Sequence, residues 1–401
     1  MKKHIAIAGT LIRLLPVVLL AGFMPGKDLD SRLKPIVKPY QFSLARWEAQ
    51  AIPGEVKQLI VPRRDGGQDE IATVTGYFAL TERIKTLKLN NRVNSLSAEA
   101  EINRLQEQKA ALADTVTGIL EKQISSTLAE LGIFNTVGRM PVGFPPVNFK
   151  LETPPNLLVI SPRDSIESVR KITLQPALSY KDIAEIESRA DGLGVSSLVV
   201  ELGGLGATYP TFVTDEASLP WVIEAGVHEW LHQYLTFRPL GFAYVLDLTG
   251  LRRNYDVAVM NETLAGILGK EIGEIVYEKY YAPHPAGAVI RNSVAAPEFY
   301  FDREMREIRR TVDSYLARGE IEQAENFMKE SRDSLAAKGY NIRKLNQAYF
   351  AFYGTYSDSP TSVNPIGSEL RELRAKSASP KDFLDRASVL TSHQQLQQII
   401  K

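Results

Sequence analysis

The chain has 401 residues, 47 basic and 47 acidic side chains, five histidines and no cysteine. Balanced charge, with no basic cluster among interleaved aromatics, argues against a nucleic-acid partner. The lack of cysteine excludes disulfides, thiolate metal ligands and a lipoprotein anchor, and the length allows one or two domains with ample sequence for a core.

Met1-Lys2-Lys3 opens the chain with positive charge, and the stretch from Ile5 to Phe23 is apolar apart from Thr10, Arg13 and a few small residues. Leu14 to Met24 has the length of a signal-peptide core, but no small-x-small cleavage site follows. Residues 1–26 are therefore read as a signal-anchor that holds the chain at the cell membrane with the catalytic part outside. Removal of the segment would make the protein secreted instead. Residues 27–145 form an N-terminal region dominated by an amphipathic helix over Leu89 to Leu131. Ile102, Leu105, Leu112, Val116 and Ile119 keep three-and-four spacing, Lys109 fills one apolar slot, and the phase then slips to Ile124, Leu128 and Leu131. Such a helix either pairs with a second copy as a homodimer or folds back on its own domain.

Met140-Pro141-Val142-Gly143-Phe144-Pro145-Pro146 reads as a boundary. Beyond it, Leu157 to Pro162 reads as a short buried strand. Ser179 and Asp182 start a helix over Ile183 to Ala190, which Gly192 and Gly194 end. Ser196 to Val200 is a second buried strand by its β-branched content. Glu201-Leu202-Gly203-Gly204-Leu205-Gly206-Ala207 is then either a glycine-rich turn or a strand edge that a substrate backbone can approach.

His228-Glu229-Trp230-Leu231-His232 carries the chemistry. Residues four apart share one face of a helix, so both imidazoles can point at one metal ion. Glu229 follows the first histidine, in position to take a proton from a metal-bound water. Ser218 and Pro220 suit a helix start. Trp221, Val222, Ala225, Trp230, Leu231, Leu235 and Phe237 supply apolar surface, and Pro239 and Gly241 are expected to stop the helix. Catalytic zinc usually keeps three protein ligands, so one more must come from another element. Asn261-Glu262-Thr263-Leu264-Ala265 opens a second apolar helix, from about Val257 to Tyr280.

His228-Glu229-Trp230-Leu231-His232-Gln233 followed by Asn261-Glu262 resembles the gluzincins, the thermolysin-like and alanyl-aminopeptidase-like zinc peptidases. The resemblance implies Zn²⁺ held by His228, His232 and Glu262, with Glu229 as general base. Glu271, Glu274, Asp247 and Asp256 are the other carboxylates near enough in sequence to replace Glu262. Gly266 stands where thermolysin-like members carry an acidic residue, and the glycine-rich stretch lacks the glutamate with which aminopeptidases bind a free amino terminus. The glycine-rich stretch lies about as far before the zinc helix as the aminopeptidases' substrate strand.

From Val257 onward the pattern is almost wholly helical, with further helices over Glu298 to Arg318, Ile321 to Lys338 and Ile342 to Phe352. The last has dense aromatics and is similar to segments that close bacterial membrane-bound gluzincins of unassigned substrate. Tyr349, Tyr353, Tyr356 and His284 are the candidates for stabilising the oxyanion, Tyr353 and Tyr349 foremost. The expected fold is α+β and predominantly helical: a zincin-like lobe with a small mixed sheet, an active-site helix and a helical C-terminal lobe. The peptidase domain spans 146–375 and a helical tail 376–401. The expected activity is zinc-dependent hydrolysis of a peptide or protein substrate. A zinc hydrolase acting on a non-peptide amide, or a catalytically inactive membrane-tethered interaction protein, are the other readings of the same residues.

Overall fold

The computed structural model describes residues 27–43, 68–90, 96–134, 136–137, 140–141, 145–206, 208–248, 251–283, 299–356 and 359–401. The apolar stretch 5–23, its signal-anchor reading, and His284 lie outside them. No described helix is long and apolar enough to cross a membrane.

The fold is α+β and mostly helical. Helix α1 (Lys27–Val37) precedes two longer helices, α2 (Gln68–Asn90) and α3 (Leu96–Glu130), which pack against each other. A two-stranded ribbon follows, β1 (Thr136–Val137) with β2 (Met140–Pro141). Strands β3 (Phe149–Leu151), β4 (Asn156–Ser161) and β5 (Arg170–Leu174), helix α4 (Tyr180–Asp191), and strands β6 (Ser196–Glu201), β7 (Gly204–Leu205) and β8 (Thr211–Val213) complete two small sheets. One has the order β5-β4-β6 and is antiparallel throughout; the other is β3-β8-β7, with β3 parallel and β7 antiparallel to β8.

β4 is the centre of its sheet, and both of its faces are covered. Leu158 and Ile160 pack with Ile183 and Ile186 of α4 and with Leu33 and Ile36 of α1, while Val159 lies on the other face beside Leu198, Val200, Ala348 and Phe352. This explains its unbroken apolar run, since a strand buried on one face only would alternate with polar residues. The start of α4 is fixed by a reciprocal cap: Ser179 accepts from the Asp182 amide while Asp182 accepts from the Ser179 amide.

The centre of the molecule is a helix pair, α5 (Leu219–Leu235) and α7 (Tyr255–Tyr280), joined through α6 (Pro239–Leu248). Val222, Val227, Leu231, Leu235, Met260, Leu264, Leu268 and Ile272 are all fully buried between these helices and their neighbours. Each such aliphatic side chain contributes about 1.5–3 kcal/mol over its exposed state. The pair packs unusually tightly because α7 presents glycine to α5. A Cβ on Gly269 would come within 3.1 Å of His228 Cβ, and one on Gly273 within 3.0 Å of Glu224 Cα.

The same core takes in α2 and α3 on one side and three C-terminal helices on the other: α11 (Ile366–Ala375), α12 (Pro380–Ala387) and α13 (His393–Ile400). Between α7 and these, α8 (Phe299–Ala317) and α9 (Ile321–Ala337) form a satellite hairpin, and α10 (Gln347–Tyr353) lies on the β4–β6 face.

Several expectations change in detail. The long helix begins at Leu96 rather than Leu89, and its apolar face is taken up within the chain by α2, α5, α7 and β3. Lys109 in its apolar slot is neutralised: the ammonium bonds the Asp215 carboxylate at 2.8 Å and sits over the Tyr77 ring. Pro239 does not simply stop the helix that carries His228 and His232. The chain turns through 236–238 and Pro239 becomes the first residue of α6, where a missing amide costs nothing. The aromatic helix begins at Gln347 rather than Ile342, because the Asn346 side chain caps it by accepting from the Tyr349 amide.

Candidate metal centre

The tight α5–α7 packing brings three ligand atoms together. His228 Nε2 and His232 Nε2 are 3.0 Å apart, and Glu262 Oε2 lies 3.5 Å from each. Zinc bonds of about 2.0–2.1 Å in tetrahedral geometry require ligand atoms roughly 3.3–3.4 Å apart, so the triangle has the right edge. Glu262 Oε2 is buried with no hydrogen-bond partner. A buried anionic oxygen without a donor is costly unless a cation meets it. This is the one such group of three or more ligands among the described residues. Two nitrogens and one carboxylate oxygen are a donor set suited to Zn²⁺.

The ligands are themselves held. His232 Nδ1 lies 2.7 Å from Asn261 Oδ1, and a proton donated there would leave the Nε2 lone pair to a cation between the ligands. Tyr244 Oη donates to Glu262 Oε1 at 2.6 Å, leaving Oε2 to face the imidazoles. Electrostatics run the same way. Burial works to raise the Glu262 carboxyl, but His232 and His228 outweigh it and hold the group well below the usual carboxylate range. Burial works to lower His232, yet Glu262 and Glu229 hold it up at about 9. The pocket is built to hold positive charge between these atoms.

Glu229 stands beside this triangle without joining it. The glycine-rich stretch lies directly over its carboxylate: a Cβ on Gly204 would fall 2.3 Å from Oε1 and one on Gly206 2.6 Å from Oε2. A side chain at either position would push the Glu229 carboxylate from where it lies. The Gly206 amide donates to the carboxylate, and Gln233 Nε2 donates to the Thr208 carbonyl at 2.9 Å, tying the stretch to α5. Burial pushes Glu229 up and Glu262 adds to this, while the two imidazoles and the Gly206 bond oppose it. A carboxyl raised in this way is better matched to taking up a proton near neutrality.

Two of the rival carboxylates, Glu271 and Asp247, have other partners. Glu271 pairs with Arg374 through two bonds of 2.7 and 2.5 Å, and Asp247 accepts from the Asn254 amide at 2.6 Å. The aromatic segment divides. Burial, then Tyr353, raise Tyr349; burial, Arg343 and Glu201 act on Tyr353. Neither has Glu229 or a ligand among these groups. Tyr356, just past α10, does: burial, Glu262 and Glu229 together push its hydroxyl well up, so it stays protonated as a donor. Asn346 and Gln347 are structural, donating to the Ser197 and Arg163 carbonyls.

Tyr244 had no sequence signal. It lies on a helix whose start was read as a stop, and nothing in its spacing links it to Glu262. A comparison with known protein families, curated proteins and solved structures found no match to this chain.

Proposed function

We propose that the protein is a zinc-dependent peptidase of the gluzincin type, with His228, His232 and Glu262 as ligands and Glu229 as general base. The observation that carries this reading is the triangle of two imidazole nitrogens and one carboxylate oxygen, with a second carboxylate, Glu229, beside it under a glycine roof. A zinc ion held by these residues would supply Lewis acidity and lower the pKa of a bound water toward neutrality. Glu229 accepts the water's proton on a carboxylate oxygen and returns it to the departing amine. Tyr356 donates a hydrogen bond to the substrate carbonyl oxygen as that atom gains negative charge. β7 is the outer strand of its sheet, so a substrate backbone can lie along Gly204 and Leu205 within reach of Glu229. Asn261 and Tyr244 do not touch substrate; they hold the ligands in place.

The test is metal analysis of the purified full chain, followed by digestion of a peptide library with and without a chelator. One zinc per chain and chelator-sensitive cleavage are expected. Glu229→Gln should keep the zinc and lower hydrolysis by a factor of ~10²–10⁴, the usual contribution of general acid–base catalysis. A chain that binds no zinc, or a Gln variant that cleaves like the parent, would overturn the reading.

A further inference from the structure

Helix α6 is apolar on nearly every side: Pro-Leu-Gly-Phe-Ala-Tyr-Val-Leu-Asp-Leu. A helix of this kind is normally buried or in contact with lipid. Its inner side is occupied, with Leu240 buried, Tyr244 on Glu262, and its one charged residue, Asp247, turned to the Asn254 amide. Its outer side is not. Phe242 is 55% exposed, Leu248 44%, and Leu251 just beyond the helix 67%. The exposed Arg252 and Arg253 follow Leu251 at once, whereas Arg238 before the helix is turned to the Tyr234 hydroxyl and ring. Apolar side chains flanked by exposed arginines suit the boundary between acyl chains and anionic headgroups.

The position of this face in the fold points the same way. The Arg253 guanidinium donates to the Val169 carbonyl at 3.0 Å. The next residue, Arg170, holds Asp30 of α1 through bonds of 2.5 and 3.1 Å. The apolar stretch Ile5 to Phe23 ends seven residues before Asp30, a reach of at most about 25 Å. A connection this short lets a single bilayer take both that stretch and the apolar face of α6.

We infer that α6 with Leu251, Arg252 and Arg253 is a membrane-contact surface, seated in the headgroup region of an anionic bilayer beside the N-terminal apolar segment. Because Tyr244 joins the inner side of this helix to Glu262, the candidate metal centre lies one helix away from that membrane, and its substrates are peptide segments close to the bilayer surface. The substrate class rests on the peptidase reading; the contact surface does not.

The chain has no cysteine, so single cysteines can be labelled cleanly. Phe242→Cys and Leu251→Cys, with Ala110→Cys as reference, would each carry a nitroxide in the full chain reconstituted into phosphatidylcholine–phosphatidylglycerol vesicles. Ala110 is exposed and adjoins Lys109, whose partner Asp215 precedes α5 at the end opposite α6. The expected result is that labels at 242 and 251 lose collisions with a water-soluble nickel chelate and gain them with oxygen, while the label at 110 does neither. Weaker protection in pure phosphatidylcholine would show the contribution of the arginines. Labels that stay aqueous in a chain that floats with the vesicles would overturn the surface, as would a chain that stays out of the vesicle fraction. Zinc content, measured on the same samples, reports separately on the metal centre.

Discussion

On the α5–α7 side of the site three of the four functional side chains have a second group behind them. Asn261 fixes the His232 ring, Tyr244 fixes Glu262, and Gly206 bonds Glu229. On the α10 side the aromatics rest on one another: Tyr349 on Tyr353, with centroids 4.6 Å apart, and Phe352 on Tyr356, 5.7 Å apart. The first wall is a braced set of hydrogen bonds on two long helices, and its positions are over-determined. The second is a short helix and its C-terminal turn, held by packing. On the proposed reading, the contrast separates residues that would define where a cation sits from those that would shape the space around a substrate.

The difference can be broken from either side. His228→Ala or His232→Ala should abolish stoichiometric zinc, since two ligands hold the ion poorly; full zinc in either purified variant would refute the assignment. Glu262→Gln should also lose zinc strongly, whereas Glu271→Gln, which only releases Arg374, should retain it. The reverse order in a metal titration would move the ligand role to Glu271.

A smaller effect is expected on the second wall. Tyr356→Phe should lower kcat by about 10²–10³, the usual cost of removing one oxyanion donor, with zinc affinity unchanged. Tyr349→Phe should leave kcat near the parent value. Equal losses in steady-state kinetics would show that the α10 tyrosines act as a unit and that the contrast between them is unreal.

The bracing itself comes next in size. Tyr244→Phe removes the hydrogen bond to Glu262 Oε1 and should weaken zinc binding by about 10–100-fold, as substitutions behind metal ligands do. A competition titration with a chromophoric chelator would read this, and an unchanged affinity would show that the brace is dispensable. The least effect is expected from Lys109→Met. It fills the slot but strands Asp215, which is partly exposed (27%), so a loss of about 1–3 kcal/mol in denaturant unfolding is expected with zinc retained.

The ligand set was legible because its spacing has a chemical cause: a pair at i and i+4, a base beside it, and an acidic residue opening a second apolar helix. The buried strands were legible for a similar reason, as an unbroken Leu-Leu-Val-Ile run admits few other placements. Helix α2 was not. Its inward residues include Thr75 and Thr81 among Val74, Tyr77, Phe78 and Ile84, a mixture whose β-branched and aromatic content conceals the helical period. The buried threonines succeed there by bonding the carbonyls one turn back. Helix α6 escaped notice because an apolar stretch without polar positions has no period to read. Tyr244 went with it, since a brace contributed by a third helix leaves no trace in linear spacing. Lys109 was visible as an anomaly, but its partner lies 106 positions away.

The bare α-carbon of Gly269 has a consequence for which ions the centre admits. With His228 Cβ only 3.1 Å from where a methyl group would sit, the separation of the two helices beside the ligands, and so the width of the ligand triangle, is sensitive to one added carbon. Edges of 3.0–3.5 Å match a small tetrahedral ion; calcium, with bonds of about 2.3–2.6 Å, needs a wider cage. Ionic-radius selectivity would then be written in backbone spacing rather than in the choice of ligands. Gly269→Ala should widen the gap by a few tenths of an ångström and shift preference from zinc toward a larger soft cation such as cadmium. An unaltered zinc-to-cadmium preference in competition binding would show that the helices absorb the methyl elsewhere.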